Sequence, residues 1–445
     1  MRFALMMVLP VAWSCMAADG DEARGPLQLS LKRAVEIAIR PEGNPNIQLS
    51  GEALKQAQMR SAEARAALLP DFEASVSEQN ATRNLGALGI SVMVPIPGFH
   101  FPTFVGPYTT MDARLTGSQS VFDFSSIRRF QASKVGVSAA RSDSDNTEDR
   151  VAADVARAYL AAVKTDADVE VAQANVTLSK AVLTQADNQK KAGTGTGIEI
   201  TRAKVQLAND DQHLLQAQNA RRSAHLRLLR AMGLRLDTET ELTDKLQYVP
   251  VDAMTIEQAK AQALESRPDY KAQQEREANA RLSASATKME RLPSVQAFGD
   301  YGTIGTGLNN ALPTRTYGIS VRVPVFDGGK RDARRAESAS QYRSEKVRTN
   351  DLKEQVELDV RLALDALTSA EDQVKVAKDG LELADNELTQ ARRRYEAGVA
   401  NSLEVTDAQT RLERARDNQT GALYNYNLAR IDLAQALGKV KSMLQ

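Results

Sequence analysis

The sequence holds a single cysteine, Cys15, so one chain cannot form a disulfide within itself or build a cysteine-based zinc site or redox pair. It has only 3 histidines, His100, His213 and His225, and contains neither an HExxH nor a GxSxG motif. Metalloprotease and serine-hydrolase chemistry therefore lack their residues, and no cofactor or metal site is expected. Aromatic residues make up 5% of the chain and there are 14 prolines in 445 residues, a profile that suits long helices better than compact α/β domains. No excess of one charge exists either, with 57 basic and 57 acidic residues intermixed. The chain thus offers no basic patch for nucleic acid. Nor does it contain an apolar window of 18 residues, so its helices cannot be membrane spans and belong in an aqueous compartment.

What is present begins with Arg2, an apolar run from Phe3 to Trp13 and small residues up to Ala18. Residues 1–18 are expected to be a secretory signal cleaved near Ala18. Ordinary cleavage is favoured over lipidation of Cys15, because Ala12 stands where a lipoprotein signal usually carries leucine.

The dominant pattern lies at the other end of the chain. Ala408, Ala415, Ala422, Ala429 and Ala436 recur every seven residues, interleaved with Val405, Leu412, Tyr426 and Leu433, and only Gln419 breaks the second series. Before the break at Gly398, Val356, Val360, Ala363, Leu367, Ala370, Val374, Ala377, Leu381, Ala384, Leu388 and Ala391 keep a four-three spacing up to Tyr395. Two long helices with coiled-coil seams are predicted to meet there, and their alanine layer allows close backbone approach.

In chain order, Ser30 caps a short helix, and a second helix runs from about Ile47 to the breaker Pro70. A strand follows, with Phe72, Ala74 and Val76 on one face and Asp71, Glu73, Ser75 and Ser77 on the other. The apolar stretch 85–108 reads as a hairpin tip against lipid or over a barrel mouth, in preference to a recognition surface. The next strand puts Asp112, Arg114, Thr116, Ser118 and Ser120 on one face. A proline-free helix from about Ile127 to Lys191 and a return helix from Ile198 to about Met232 flank KAGTGTG. Residues 235–255 lose periodicity and read as an irregular connector.

The order then repeats. A helix begins at Ile256, another is completed between Ala278 and Leu292, and SVQAFGDYG and TYGISVRVPVFDGG give two more strands. In the last strand Tyr317, Ile319, Val321, Val323 and Val325 alternate with Gly318, Ser320, Arg322 and Pro324. GTIGTG, beginning at Gly302, is expected to turn between these strands. Pro45 to Pro268 and Pro70 to Pro293 are both 223 positions, while Gly193 to Gly398 and Gly233 to Gly438 are both 205. A constant offset that changes only between paired strands marks a duplication. The domain reading is 1–18 signal, 19–234 first repeat, 235–255 connector and 256–445 second repeat.

Four strands with one polar face cannot stand as an open sheet in lipid, because the edges leave backbone groups unsatisfied. A dimer would supply eight strands with a filled interior; a trimer would supply twelve and room for a channel. Three histidines leave little for catalysis, and His213 and His225 are read as solvated helix residues. GTGTG at Gly193 lacks the lysine of a P-loop and follows a helix, so Gly193 and Gly398 are read as hairpin turns.

LLP before Asp71, VFDGG at 325–329, YEAGVANSLEVTDAQ at 395–409 and ALG at 436–438, set in this duplicated order, resemble the TolC-like outer-membrane efflux proteins over essentially the whole mature chain. The resemblance implies a mainly α fold with a membrane β-barrel: duplicated coiled-coil hairpins, four strands per chain, and a homotrimer with a twelve-stranded barrel and a periplasmic tunnel. It further implies the outer membrane of a Gram-negative bacterium, contact with its lipid, and a passive, non-enzymatic exit duct for a tripartite efflux pump or type I secretion system. The implied partners are a periplasmic adaptor and an inner-membrane pump. The alternative is a pore-less periplasmic coiled-coil scaffold.

By the same resemblance, Glu404 and Asp407 ring the periplasmic constriction, although acids in a first helical turn also serve the helix dipole. Tyr395 matches a tyrosine that holds the entrance shut, and Glu199 matches its acidic partner. Ala400 replaces the family's arginine, and Arg202, at the repeat position of Asp407, is available to supply a cation. Gly193, Thr194, Gly398 and Val399 are the implied adaptor contacts. Asp112, Arg114 and Arg322 are the implied barrel-lumen residues.

Overall fold

A computed structural model describes residues 27–89, 103–252, 254–397, 399–400 and 402–444. The expected signal segment, Cys15, His100, Gly398 and most of the apolar loop lie outside the described residues. The elements run β1 (Leu27–Leu29), α1 (Leu31–Ala38), α2 (Pro45–Ala66), β2 (Asp71–Asn84), β3 (Phe104–Phe122), α3 (Phe124–Lys191) and α4 (Gly197–Met232). They continue with β4 (Thr240–Leu242), α5 (Ile256–Ser266), α6 (Pro268–Met289), β5 (Ser294–Gly305), β6 (Leu312–Arg322), α7 (Lys330–Glu396), α8 (Ser402–Ala436) and α9 (Val440–Leu444).

Local chemistry sets the helix starts. Ser30 accepts the Arg33 amide at 3.3 Å, and Asp123 accepts the Ser125 amide at 2.9 Å. Pro45 and Pro268 occupy the first turns of α2 and α6, where a missing N–H costs nothing. The expected interruption at RPDYK is a single break at Arg267, and the helix resumes at once from Pro268 and ends at Met289. α4 ends at Gly233 and α8 is followed by Gly438, both with positive φ. A Cβ at Gly233 would meet the Gly43 carbonyl at 2.8 Å, and one at Gly438 would meet the Arg267 backbone at 2.8 Å. Each glycine seats the end of a long helix against the turn that precedes α2 or α6.

α3 is 68 residues long, about 100 Å at the helical rise. It packs against α2, α4, α6 and α8, while α7 packs against α6 and α8. The α7–α8 seam is the expected one: Val356, Val360, Ala363, Ala370, Ala384, Leu388 and Ala391 are buried on α7, and Val405, Ala408, Leu412, Ala422, Tyr426 and Ala429 on α8. Among the described residues no helix is long and apolar enough to cross a membrane.

The main core lies at mid-height, where Leu29, Val35, Tyr159, Leu228, Met232 and Ile431 are buried together. The Tyr159 hydroxyl is 2.9 Å from the Leu29 carbonyl and 3.0 Å from the Asp244 carboxylate, which also accepts the Leu31 amide at 2.7 Å. The connector is less irregular than its sequence predicts. β4 pairs in parallel with β1, Leu27 opposite Thr240 and Leu29 opposite Leu242, and the Val249 carbonyl accepts the Tyr426 hydroxyl at 2.7 Å.

The four long strands form one antiparallel sheet in the order β2-β3-β5-β6. Two sequence expectations change here. β6 ends at Arg322, so Val323 and Val325 do not continue it; Pro324 has no N–H for a ladder. β5 runs through Gly302 to Gly305, so the turn falls after GTIG.

Candidate functional site

At the far end of the helical hairpins, α3 and α4 join through 192–196 and α7 and α8 through 397–401. Gly193 takes φ +78 and donates to the Lys190 carbonyl at 3.0 Å, while the Thr194 amide donates to Gln189 at 3.0 Å. On the second hairpin the Val399 amide donates to the Arg394 carbonyl at 3.0 Å, and its side chain is exposed. Gly193, Thr194 and Val399 thus form two exposed tips of similar construction.

Tyr395 is buried just inside the second tip, against Val182, Ala203 and Val405. Its hydroxyl donates to the side-chain carbonyl of Gln189 on α3, joining the two hairpins. Burial, then the nearby charge of Glu199, pushes the phenol above its ordinary range. Glu199 itself accepts the Thr196 amide at 2.9 Å in a capping box. The tyrosine's bonded partner is therefore Gln189, with Glu199 acting on it only through space.

Glu404 lies in the first turn of α8, and its carboxylate pairs with Arg394 Nε at 2.9 Å. Asp407, three residues on, is exposed. Both side chains of the Glu404 pair are substantially solvent-accessible, so the pair adds little stability. The duplication relates these groups: at an offset of 205, Glu404 corresponds to Glu199 and Arg394 to Gln189. The cation that faces Glu404 is Arg394 on the preceding helix; Arg202, exposed on α4, makes no contact of this kind with a described residue.

In the sheet, Arg114 lies between two acids. Its Nε and Nη2 reach the Asp112 carboxylate at 3.2 and 3.0 Å, and Nη1 reaches Asp300 at 2.7 Å. The register puts Asp112, Arg114, Thr116 and Asp300 on one face, with Glu73 opposite Thr116 and Ser75 opposite Arg114. Arg322 ends β6 on that face, opposite Ser294. The other face carries Phe72, Val76, Leu115, Tyr301, Tyr317, Ile319 and Val321, all exposed. A sheet with a charged face and an apolar exposed face is built for water on one side and lipid on the other. β2 and β6, at its two edges, pair with one strand each.

The sequence profile of outer membrane efflux proteins matches residues 41–234 and 260–439. The chain belongs to the outer membrane efflux protein family. The Pseudomonas putida pyoverdine export outer membrane protein OpmQ is 24% identical over 412 residues, 90% of this chain and 84% of that one. The Pseudomonas aeruginosa alkaline protease secretion protein AprF is 21% identical over 384 residues, 80% and 79% of the two chains. Among solved structures, the Campylobacter jejuni outer membrane channel CmeC superposes with a TM-score of 0.77 at 17% identity, covering 92% of this chain and 85% of CmeC. The Vibrio cholerae outer membrane protein VceC gives 0.77 at 18%, covering 92% and 96%. This efflux family member therefore has the fold of outer-membrane channels, with a barrel sheet and a periplasmic helical tunnel.

Sequence reasoning missed Gln189, Arg394 and Asp300, the partners of three residues it singled out. For Gln189 and Arg394 the offset of 205 was an available signal, since it relates 189 to 394 and 199 to 404; no such signal marked Asp300. His225 also differs from expectation. Its side chain is only 14% exposed, with Nε2 at 3.0 Å from Asp166 and Nδ1 at 3.3 Å from Thr240, so it bridges α3, α4 and β4 and is not solvated.

Proposed function

We propose that three copies join their sheets edge to edge, β6 of one to β2 of the next, into a twelve-stranded barrel that continues as a helical tunnel. The assembly is the exit duct of an efflux pump or a type I secretion system. The observation that carries this reading is the sheet: two open edges and an apolar exposed face, both costly in lipid until copies close the ring. The polar face with Asp112, Arg114 and Arg322 would line the lumen. Glu404 and Asp407 would form rings of negative charge at the periplasmic end, with Tyr395 and Glu199 at the contact between hairpins. The exposed tips at Gly193, Thr194 and Val399, with Gly398 preceding Val399 in the sequence, would receive the adaptor, whose inner-membrane pump supplies the energy. Relatives named for pyoverdine export and for alkaline protease secretion support a duct whose cargo is set by its pump.

Purified protein in planar bilayers should give single-channel currents, and its detergent-solubilised mass should be that of three chains. A chain that gives no current would be the pore-less periplasmic scaffold. Replacing Glu404 and Asp407 together by alanine should weaken block by multivalent cations added from the periplasmic side by roughly tenfold, as expected for a lost ring of carboxylates. Unchanged block would remove both residues from the constriction.

A further inference from the structure

The apolar face of the sheet contains a trench. Gly117 of β3 and Gly299 of β5 are directly opposite in the register, in a row that begins at Phe72 and ends at Tyr317. With no side chains at its centre, this row leaves a cavity of about 510 Å³, walled by Phe72 and Tyr317 and bordered by Leu115, Tyr301 and Arg315 of the next row. The two glycines differ in what requires them. The Phe72 ring lies over Gly117, where a Cβ would meet it at 2.8 Å, so packing forbids a side chain there. At Gly299 a Cβ would find only ordinary contacts, the nearest at 3.5 Å, and φ is not in the left-handed region. The fold does not need glycine at 299; an open trench does.

Arg315 gives the trench a polar end. It stands directly across from Tyr301, on the face that carries Tyr317, Ile319 and Val321. Its side chain makes no hydrogen bond or ion pair with any described residue. Asp300, the acid next in sequence to Tyr301, points to the opposite face and is committed to Arg114. A guanidinium on a lipid-facing surface is costly unless it meets an anion at the interface. Arg315 is three residues from the turn end of β6, the end remote from the helices, which in an outer-membrane duct is the outer leaflet.

We infer that this trench is a specific site for an outer-leaflet lipid bearing phosphate, lipid A, with an acyl chain laid over Gly299 between the Phe72 and Tyr317 rings and a phosphate held by Arg315 beside Tyr301. The inference rests on the reading of this face as lipid-exposed. A guanidinium binds phosphate through paired, charge-assisted hydrogen bonds, and aromatic side chains favour the same interfacial depth.

The test uses the full chain, purified in detergent and exposed to three probes: lipid A with both phosphates, dephosphorylated lipid A, and phosphatidylethanolamine. Native mass spectrometry counts the lipid retained. Wild type should hold the phosphorylated form about tenfold better than either other lipid, the scale of one charge-assisted contact. Arg315→Gln should lose that preference and Arg315→Lys should recover most of it. Gly299→Val should reduce retention of all acylated probes by obstructing the trench with Arg315 intact. Equal retention of the three lipids by wild type, or retention unaffected by both Arg315→Gln and Gly299→Val, overturns the site. Bilayer currents from the same preparations separate the two readings: variants that conduct normally with unchanged lipid retention remove the site and leave the duct, whereas wild type that neither inserts nor conducts removes both.

Discussion

Asp149 and Asp166 are carboxylates on one helix, α3, whose surroundings push them in opposite directions. At Asp166 burial acts upward, but hydrogen bonds from His225 and Arg221 outweigh it and hold the acid below its ordinary range. At Asp149 burial again acts upward; Lys441 at 3.8 Å pulls it down, but Glu148, Asp145 and Asp269 add to the rise, and the group is pushed up to about 6. A carboxyl raised in the folded state contributes stability that is complete below its unfolded pKa, near 4, and is lost as pH rises through 6. Asp149→Asn cannot ionise and so should be more stable than wild type at pH 7.5, by on the order of 2 kcal/mol, with the difference vanishing near pH 3.5. Thermal unfolding at the two pH values checks this, and Lys441 keeps Glu148 as partner in the variant. Tyr395 gives a prediction of function at the same scale. Tyr395→Phe keeps the buried ring and removes only the bond to Gln189, a loss of about 1 kcal/mol. If that bond holds neighbouring hairpins together, open probability in bilayers should rise about fivefold with helicity unchanged; equal open probability would make the tyrosine a seam residue only.

At the scale of elements, the helices were legible and the contacts between distant segments were not. α3 was expected from Ile127 and begins at Phe124; the seams of α7 and α8 came out as their heptads predict, because a 3.5-residue repeat sustained over many turns permits one packing. The pairing of β1 with β4 left no such trace. Three residues have no readable period, and Leu29 and Leu242 are 213 positions apart. The misreading of His225 has the same origin: it shares the face of α4 that carries Leu228, Leu229 and Met232, but the groups that enclose it, Asp166 and Thr240, are brought by α3 and β4. Likewise Glu404 and Tyr395 could be singled out by their match to the family pattern, but their partners depend on how two hairpins lie together. Position on an element, more than residue type, should therefore decide the cost of mutation. On α4, Leu228 is fully buried and Leu215 is 67% exposed. Leu228→Ala should cost about 2–5 kcal/mol, whereas Leu215→Ala should stay within about 0.5 kcal/mol in the dissociated chain. Unfolding by denaturant under dissociating conditions measures both.

For the whole molecule, the single chain leaves two kinds of surface unfinished, and the same event would complete both. The sheet ends in β2 and β6 with their outer backbone groups unpaired. α7, whose seam against α8 is filled, carries a second stripe on another face: Leu362, Val376 and Leu383 fall on one seven-residue series, interrupted by Ser369, and all are exposed. A heptad stripe left exposed on its own chain would serve as a seam for a helix of another copy. Unlike an exposed apolar residue met singly, it cannot be dismissed as ordinary surface, because its spacing repeats that of the buried seam. Paired substitution Val376→Glu and Leu383→Glu should leave the chain's helicity intact, since neither side chain enters its own core, but should prevent assembly. Light scattering would then report one chain where wild type gives three, and bilayer currents would be lost. A trimer that survives both substitutions would assign assembly to the strand edges alone and turn the stripe toward the adaptor or the tunnel.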